Sequence, residues 1–328
     1  MALTVAAACS APRHQFDFPL MGTYLRITII SESSPAAHAA ARAAFDAAAG
    51  LDSALSIYRP GSDFSRINES AGRDTVEVSA RTMEVLLACG RFHDLTHGAF
   101  DPSIGPLMRL WKLQGEGNVP AQAEIDSVLN LIGFAKVFLD PATRRVYLPS
   151  GMRLDAGAIG KGCAADIARF ALAQHGVTRC MVDLGGNVAT LGKGPTRGVW
   201  AVGIRDPLHH NRLVGSLEIN DAALATSGQY EQYFVRDGIR YGHIVDPRTG
   251  RPADDVLSVT ILAADATTTD ALSTGVFVLG PGDGMALVER MPGVETVIVT
   301  DPGAAGCLTR DHVRLSGGLR GKIRWAIS

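Results

Sequence analysis

The stretch Asp155-Ala-Gly-Ala-Ile-Gly-Lys-Gly162 decides how the rest of the chain is read. Before it, Val146 to Leu154 has the apolar-polar pattern of a strand edge. After it, Ala164 to His175 has the spacing of an amphipathic helix, closed by Gly176. The segment is expected to be a strand-to-helix turn that carries a carboxylate, glycines and a lysine. Such a turn lets backbone N–H groups approach phosphate oxygens, and the lysine adds a point charge. The same residues would also suit an ordinary tight turn with a solvated lysine. A Walker loop is excluded, because it wants glycine at position 155 and Ser or Thr at 162, where Asp155 and Gly162 stand. A Rossmann fingerprint is excluded too. In Asp183-Leu-Gly-Gly-Asn187 the glycines are adjacent and no helical pattern follows.

The chain has 328 residues, 46% hydrophobic and 20% charged, enough for one large domain or two intimately packed ones. The net charge is -2 and no basic run stands out, which argues against non-specific nucleic-acid binding. No stretch approaches the ~20 apolar residues of a membrane span, so no transmembrane segment is expected. The five cysteines, Cys9, Cys89, Cys163, Cys180 and Cys307, are odd in number and contain no C-x-x-C pattern. Neither a disulfide framework nor a zinc site is indicated. Leu3 to Ala8 is apolar and is followed by Cys9, like a short lipoprotein signal, but no basic residue precedes it. Residues 1–20 are read as a disordered leader and 21–328 as a single domain.

From Met21 to Ile30 the residues Leu25, Ile27 and Ile29 share one face of a strand. Ser34-Pro35 opens an Ala-rich helix to about Leu55, with Ser34 as its N-cap. Ser79 caps a helix over Ala80 to Thr96, ended by Gly98. Ala99 to Trp111 reads as an irregular loop, and Ala121 to Leu131 as a helix. Strands are expected near Arg179–Leu184, Asn187–Leu191, Val199–Ile204, Leu213–Ile219, Leu224–Gly228, Gln232–Val235 and Leu257–Ala264. A helix over Thr267 to Leu279 follows, then another helix and two strands. Helices and strands mix without strict βαβ alternation, which makes the fold class α+β, mixed sheets with packed helices.

Asp270 and Thr274 are spaced to put both oxygens on one helix face, one turn apart. With a backbone carbonyl they would make a hard donor set, suited to Mg²⁺ rather than zinc. The alternative is ordinary helix-start chemistry, since Asp and Thr favour a first turn. His243 ends a β segment in His243-Ile-Val-Asp-Pro-Arg-Thr-Gly250 and could serve as a general base, or could simply hold the turn. His93 and His97 are one helical turn apart, but no third ligand or glutamate accompanies them. No G-x-S-x-G or Ser/His/Asp pattern is evident.

Taken together, these blocks resemble the ApbE family, the FAD:protein FMN transferases. The matching pieces begin with Met21-Gly-Thr23, Tyr58-Arg-Pro60, Ser65-Arg-Ile-Asn68 and Gly98-Ala-Phe-Asp-Pro-Ser-Ile-Gly-Pro-Leu-Met-Arg-Leu-Trp111. They continue with Asp155 to Gly162, Asp183 to Asn187, Ala225-Thr-Ser-Gly228, His243 to Gly250 and Asp270-Ala-Leu-Ser-Thr274, in the family's order. Each is weak singly; together they are specific, and they span Met21 to about Gly280.

The resemblance implies a T-fold-like enzyme that takes FAD as substrate and Mg²⁺ as cofactor. It would cleave the pyrophosphate, release AMP and join FMN to a threonine of an acceptor flavoprotein, in the family a membrane protein of electron transport. By position, the metal would be held by the Ala158 carbonyl, Asp270 and Thr274, with Ser273 nearby. FAD would contact Met21, Tyr58, Ala99, Phe100, Asp101, Asp155, Lys161 and His243. His243 would act as base on the acceptor hydroxyl, and Asp270 would also count as catalytic through the metal. Typical bacterial members are exported, which implies a periplasmic or membrane-anchored protein; without a signal in the leader it would be cytoplasmic. Two other functions fit parts of the pattern. An FAD pyrophosphatase would release FMN to water, but such members depart from tyrosine at the Tyr58 position. A non-enzymatic FAD carrier would need neither the Asp270–Thr274 pair nor His243.

Overall fold

Side chains that alternate between two buried faces set the architecture. The computed structural model describes residues 11–113, 115–303 and 306–328. Its first strands are β1 (Arg13–Leu20), β2 (Thr23–Ile30), β3 (Val76–Glu77), β4 (Phe138–Asp140) and β5 (Arg145–Tyr147). Next come β6 (Cys180–Leu184), β7 (Asn187–Leu191), β8 (Trp200–Arg205), β9 (Leu213–Ile219), β10 (Ala223–Gly228), β11 (Tyr233–Arg236) and β12 (Ile239–Gly242). The last are β13 (Ser258–Ala263), β14 (Glu295–Val299), β15 (Val313–Leu315) and β16 (Arg324–Trp325). The helices are α1 (Ser34–Leu55), α2 (Asp63–Glu69), α3 (Ala80–Leu95), α4 (Gly105–Trp111), α5 (Gln122–Leu129), α6 (Gly160–Gln174) and α7 (Ala266–Val288).

Among the described residues, one sheet runs in the order β1-β2-β6-β7-β10-β13-β14-β15, and its pairings are antiparallel. On β2, Leu25, Ile27 and Ile29 turn to the helical side, where α1, α6 and α7 pack. Ile30 turns to the other side, with Val297 and Val299 of β14. There the smaller sheet β16-β9-β8 covers the large one through Trp200, Ile204, Val214 and Leu217. Both faces of the sheet's middle are therefore covered, while at the β1–β2 edge Asp17, Tyr24 and Arg26 face solvent. α1 buries Ala37, Ala40, Ala41, Ala44 and Ala48, small residues on one helical stripe that let it sit close to α6. The α+β class stands, as mixed sheets with packed helices.

Several expectations need correction. Residues 1–10, with Cys9, lie outside the described residues. Arg13–Leu20, however, is not a disordered leader but a strand paired with β2 along its whole length. Its alternating Phe16, Phe18 and Leu20 join the core, and Phe18 stacks on Phe45 of α1 with ring centroids 4.7 Å apart. The N-cap of α1 is Ser33, whose hydroxyl accepts from the Ala36 N–H. Within the expected loop 99–111, the last seven residues form α4, because Leu107 and Trp111 are buried in a small core of their own. The Trp111 indole N–H donates to the Gly250 carbonyl at 2.7 Å. The short helix α2 was not expected.

Among the described residues, one helix, Ala266–Val288, is long and apolar enough to cross a membrane by length and composition, contrary to expectation. In the fold it is a core helix, 61% buried in its most apolar window and packed against α6, β10 and β13. A break at Gly280, with φ of 76° and Pro281 next, divides it in two.

Candidate functional site

Three tight connections at one end of the large sheet shape a cleft of about 370 Å³. The β1–β2 turn has positive φ at both central residues, 48° at Met21 and 70° at Gly22. That is the backbone a type I′ hairpin needs, and Met21 accepts it without being glycine. The β6–β7 turn is built the same way from Gly185 and Gly186. A Cβ on Gly185 would lie 2.8 Å from Thr23 Cγ2, so the two turns touch only because Gly185 is glycine. The third connection is residues 155–159, which lead into α6.

Residues 153–155 are clamped from two sides. The Asp155 N–H donates to the Pro102 carbonyl at 2.8 Å, and the Gly105 N–H donates to the Arg153 carbonyl at 3.2 Å. From α2, Asn68 donates to the Leu154 carbonyl and accepts from the Leu154 N–H, at 3.0 and 2.7 Å. The block Ser65-Arg-Ile-Asn68 thus holds the approach to Asp155. Asp155 itself accepts from the Gly157 N–H at 2.8 Å. Burial pushes its carboxyl above the ordinary value, against the opposing effects of the Gly157 N–H, Arg153 and Lys161.

At the start of α6 the Gly162 N–H donates to Asp270 Oδ2 of α7 at 2.8 Å. In a regular helix that N–H would turn back to Ala158. Among the described residues no donor reaches the Ala158 carbonyl. Asp270 is 5% exposed, and burial raises its carboxyl, opposed first by Lys161 and then by the Gly162 and Lys161 N–H groups. A second strand of polar contacts lies beside it. Ser227 Oγ is 2.8 Å from Ser273 Oγ and 3.2 Å from Thr274 Oγ1, and Ser273 Oγ donates to the Asp270 carbonyl at 2.9 Å.

His243 follows β12 directly. Its Nδ1 lies 3.1 Å from the Gln232 carbonyl. A carbonyl can only accept, so Nδ1 carries the proton and Nε2 keeps a free lone pair. Burial lowers the imidazole below its ordinary value; the Gln232 contact opposes this and the Lys161 charge adds to it. His243 is therefore neutral at neutral pH.

The cleft is lined by Met21, Ala99, Phe100, Asp101, Asp155, Ala158, Lys161, His243, Asp270 and Thr274, which brings together all but one of the expected site residues. The exception is Tyr58, 71% exposed and outside that lining. Partial burial, then the Asp155 charge, raises its phenol. Its neighbour Ile57 lines a second groove of about 380 Å³ that shares Met108 and Asp155 with the first and carries Arg109, Lys112 and Arg153. Asp101 lines the cleft, but its carboxylate faces inward. It accepts from the Ser103 N–H and hydroxyl and from the Phe134 N–H, with a side chain 2% exposed. Ser227, Thr226, Asn187 and Gln232 also line the cleft without having been assigned a role. The blocks Ala225 to Gly228 and Asp183 to Asn187 were the only sequence signal for three of them. Gln232 had none.

The donor set fits a hard divalent cation. A carbonyl without a donor, a buried carboxylate raised by burial and a hydroxyl are oxygen ligands of the kind Mg²⁺ takes. No cluster of three or more His, Cys, Asp or Glu side chains occurs among the described residues, and an all-oxygen set of this kind does not require one. The chemistry the cleft can offer is binding of a phosphate-rich ligand against Lys161 and a cation, beside a neutral imidazole.

Comparison with known proteins gives a consistent picture. Residues 21–298 match the profile of the ApbE family. The FAD:protein FMN transferase of Klebsiella pneumoniae (strain 342) is 36% identical over 292 residues, 88% of this chain and 89% of that protein. The FAD:protein FMN transferase of Treponema pallidum is 35% identical over 325 residues, 93% and 87%. The crystal structure of the ApbE protein of Thermotoga maritima superposes with a TM-score of 0.86 at 34% identity, over 95% of this chain and all (100%) of that one.

Proposed function

As the chain belongs to the ApbE family, we propose that it is an FAD:protein FMN transferase whose reaction is carried out in the cleft between α6 and α7. The observation that carries this reading is the convergence of Ala158, Lys161, His243, Asp270 and Thr274 on one cleft. Ala158, Asp270 and Thr274 would hold Mg²⁺, which when bound neutralises charge on the pyrophosphate oxygens. Lys161 binds the same phosphates from the protein side as a point charge. Met21, Ala99, Phe100, the Asp101 backbone, Asp155 and, next to Ile57 of the neighbouring groove, Tyr58 are the further FAD contacts of this reading.

The acceptor threonine hydroxyl attacks the FMN-side phosphorus. The bond from that phosphorus to the bridging oxygen breaks, and AMP leaves with the oxygen. The hydroxyl proton passes to Nε2 of His243, whose other nitrogen is fixed by Gln232. The acceptor is a flavoprotein of a membrane electron-transport complex, met on the periplasmic side; the family resemblance supports this part of the reading.

Incubation of the protein with FAD, Mg²⁺ and a threonine-bearing acceptor peptide tests it. The expected result is a peptide heavier by one FMN less one water, and an equal amount of AMP. Free FMN with an unmodified peptide would replace the transferase by a pyrophosphatase. Intact FAD would leave only a carrier.

A further inference from the structure

We propose that Ser227 is a positioning residue that turns the Thr274 hydroxyl so that a lone pair faces the divalent cation beside Asp270. The inference rests on the cation site of the proposed function and assigns a role to the block Ala225-Thr-Ser-Gly228.

Hydrogen-bond direction carries the argument, because each hydroxyl has one proton to give. Ser273 is 1% exposed, and its hydroxyl lies 2.9 Å from the Asp270 carbonyl, which can only accept. The Ser273 proton is therefore committed there. In the 2.8 Å contact between Ser227 and Ser273, Ser227 must be the donor. Ser227 has then used its own proton. In the 3.2 Å contact between Ser227 and Thr274, Thr274 must donate. The chain runs from Thr274 to Ser227 to Ser273 to the Asp270 carbonyl. Its outcome is a Thr274 oxygen with its proton turned toward β10.

A hydroxyl binds a cation through a lone pair, so this arrangement pre-orients Thr274 as a ligand. Ser227 sits on β10 and Thr274 on α7, so the sheet sets the rotamer of a residue on the helix. Without Ser227, the usual partner of a helical threonine is the carbonyl four residues back, here Asp270, to which Ser273 already donates. The Thr274 proton would then be free to turn toward the cation.

Mn²⁺ alone is the probe, titrated into the full chain and counted as free ion by electron paramagnetic resonance. Ser227→Ala is expected to weaken Mn²⁺ binding about 10-fold or more, as loss of an outer-shell partner does. In a Thr274→Val background the same change is expected to have no further effect, because the oxygen it orients is gone. A merely structural role would lower the melting temperature of both backgrounds alike and leave Mn²⁺ affinity unchanged, and that result overturns the proposal. Equal losses of affinity in the two backgrounds overturn it as well. Asp270→Asn separates this failure from that of the underlying reading. If Asp270→Asn binds Mn²⁺ as wild type does, or wild type binds none, the cation site falls and Ser227's role with it. If Asp270→Asn loses Mn²⁺ while Ser227→Ala keeps it, only the role of Ser227 falls.

Discussion

Gly162 and Asp270 join α6 to α7 beside the cleft. The Gly162 N–H donates to Asp270 Oδ2 at 2.8 Å, and a Cβ on Gly162 would lie 2.6 Å from the Asp270 Cβ and 2.2 Å from the Ala266 carbonyl oxygen. Asp270 thus caps a helix other than its own, and only glycine lets it do so. The carboxylate that reads locally as helix-start chemistry is N-terminal in function, but for the neighbouring helix.

Gly162→Ala is expected to push α6 and α7 apart. Overpacking of this kind costs about 1–3 kcal/mol. Urea unfolding should show the lower midpoint, and FAD affinity should fall with it because Lys161 and Asp270 are displaced from each other. An unchanged midpoint would mean that the two helices part without cost.

Asp270→Asn is expected to melt higher than wild type in metal-free buffer at neutral pH, while binding of a divalent cation is lost. Asparagine can still accept from the Gly162 N–H, and it removes a charge that burial disfavours. The sign follows from the raised carboxyl. Below the ordinary value of 3.8 both states are protonated and the charge costs nothing. Above the raised folded-state value the full cost is present. Scanning calorimetry at acid and neutral pH should therefore show the gap widening as pH rises. A variant that melts lower at neutral pH would contradict this account.

His243→Ala is expected to lower FMN transfer by about 10²–10⁴-fold with FAD still bound. Because burial lowers the imidazole, the rising limb of the wild-type pH–rate profile should lie below the ordinary histidine value of 6.5. Neutral His243 is the competent form, so rate is lost as pH falls through that lowered value. Raising salt should move the limb upward, since Lys161 contributes to the lowering. If FAD affinity and rate fall together in the variant, with the pH dependence intact, His243 serves the turn and not the chemistry.

Lys161→Met is expected to weaken FAD binding, most at low salt. The Lys161 charge reaches Asp155, Asp270 and His243, so the variant loses the main side-chain cation at the α6 N-terminus. Fluorescence titration at rising ionic strength should show the gap from wild type narrowing. Equal affinity at low salt would remove Lys161 from the phosphate site.

Most of the elements followed from periodicity, because period-two and helical spacing are properties of neighbouring residues. Asn187–Leu191 and Leu213–Ile219 have the bounds expected of them. The blocks around Asp155, His243 and Asp270 could be picked out as chemistry because their residue types suit phosphate, proton and cation. β1 was missed because its ladder partner, β2, is what makes it a strand rather than a tail. α4 was missed because its stability comes from Trp111 reaching Gly250, far along the chain.

Residue type, local spacing and family resemblance thus marked which groups were candidates, and the packing of distant segments sets which way each one points. Asp101 reads as a site carboxylate yet turns inward to Ser103 and Phe134, since a buried charge takes the donors nearest to it. Ser227 reads as one strand serine among many. It gains a role only where β10 lies against α7 and three hydroxyls share their protons in one order. Hydrogen-bond direction and the closeness of Gly162 to Asp270 depend on contacts between segments remote in sequence. Local patterning carries no record of them, because a residue's own propensities do not specify which surface will face it after the chain has folded.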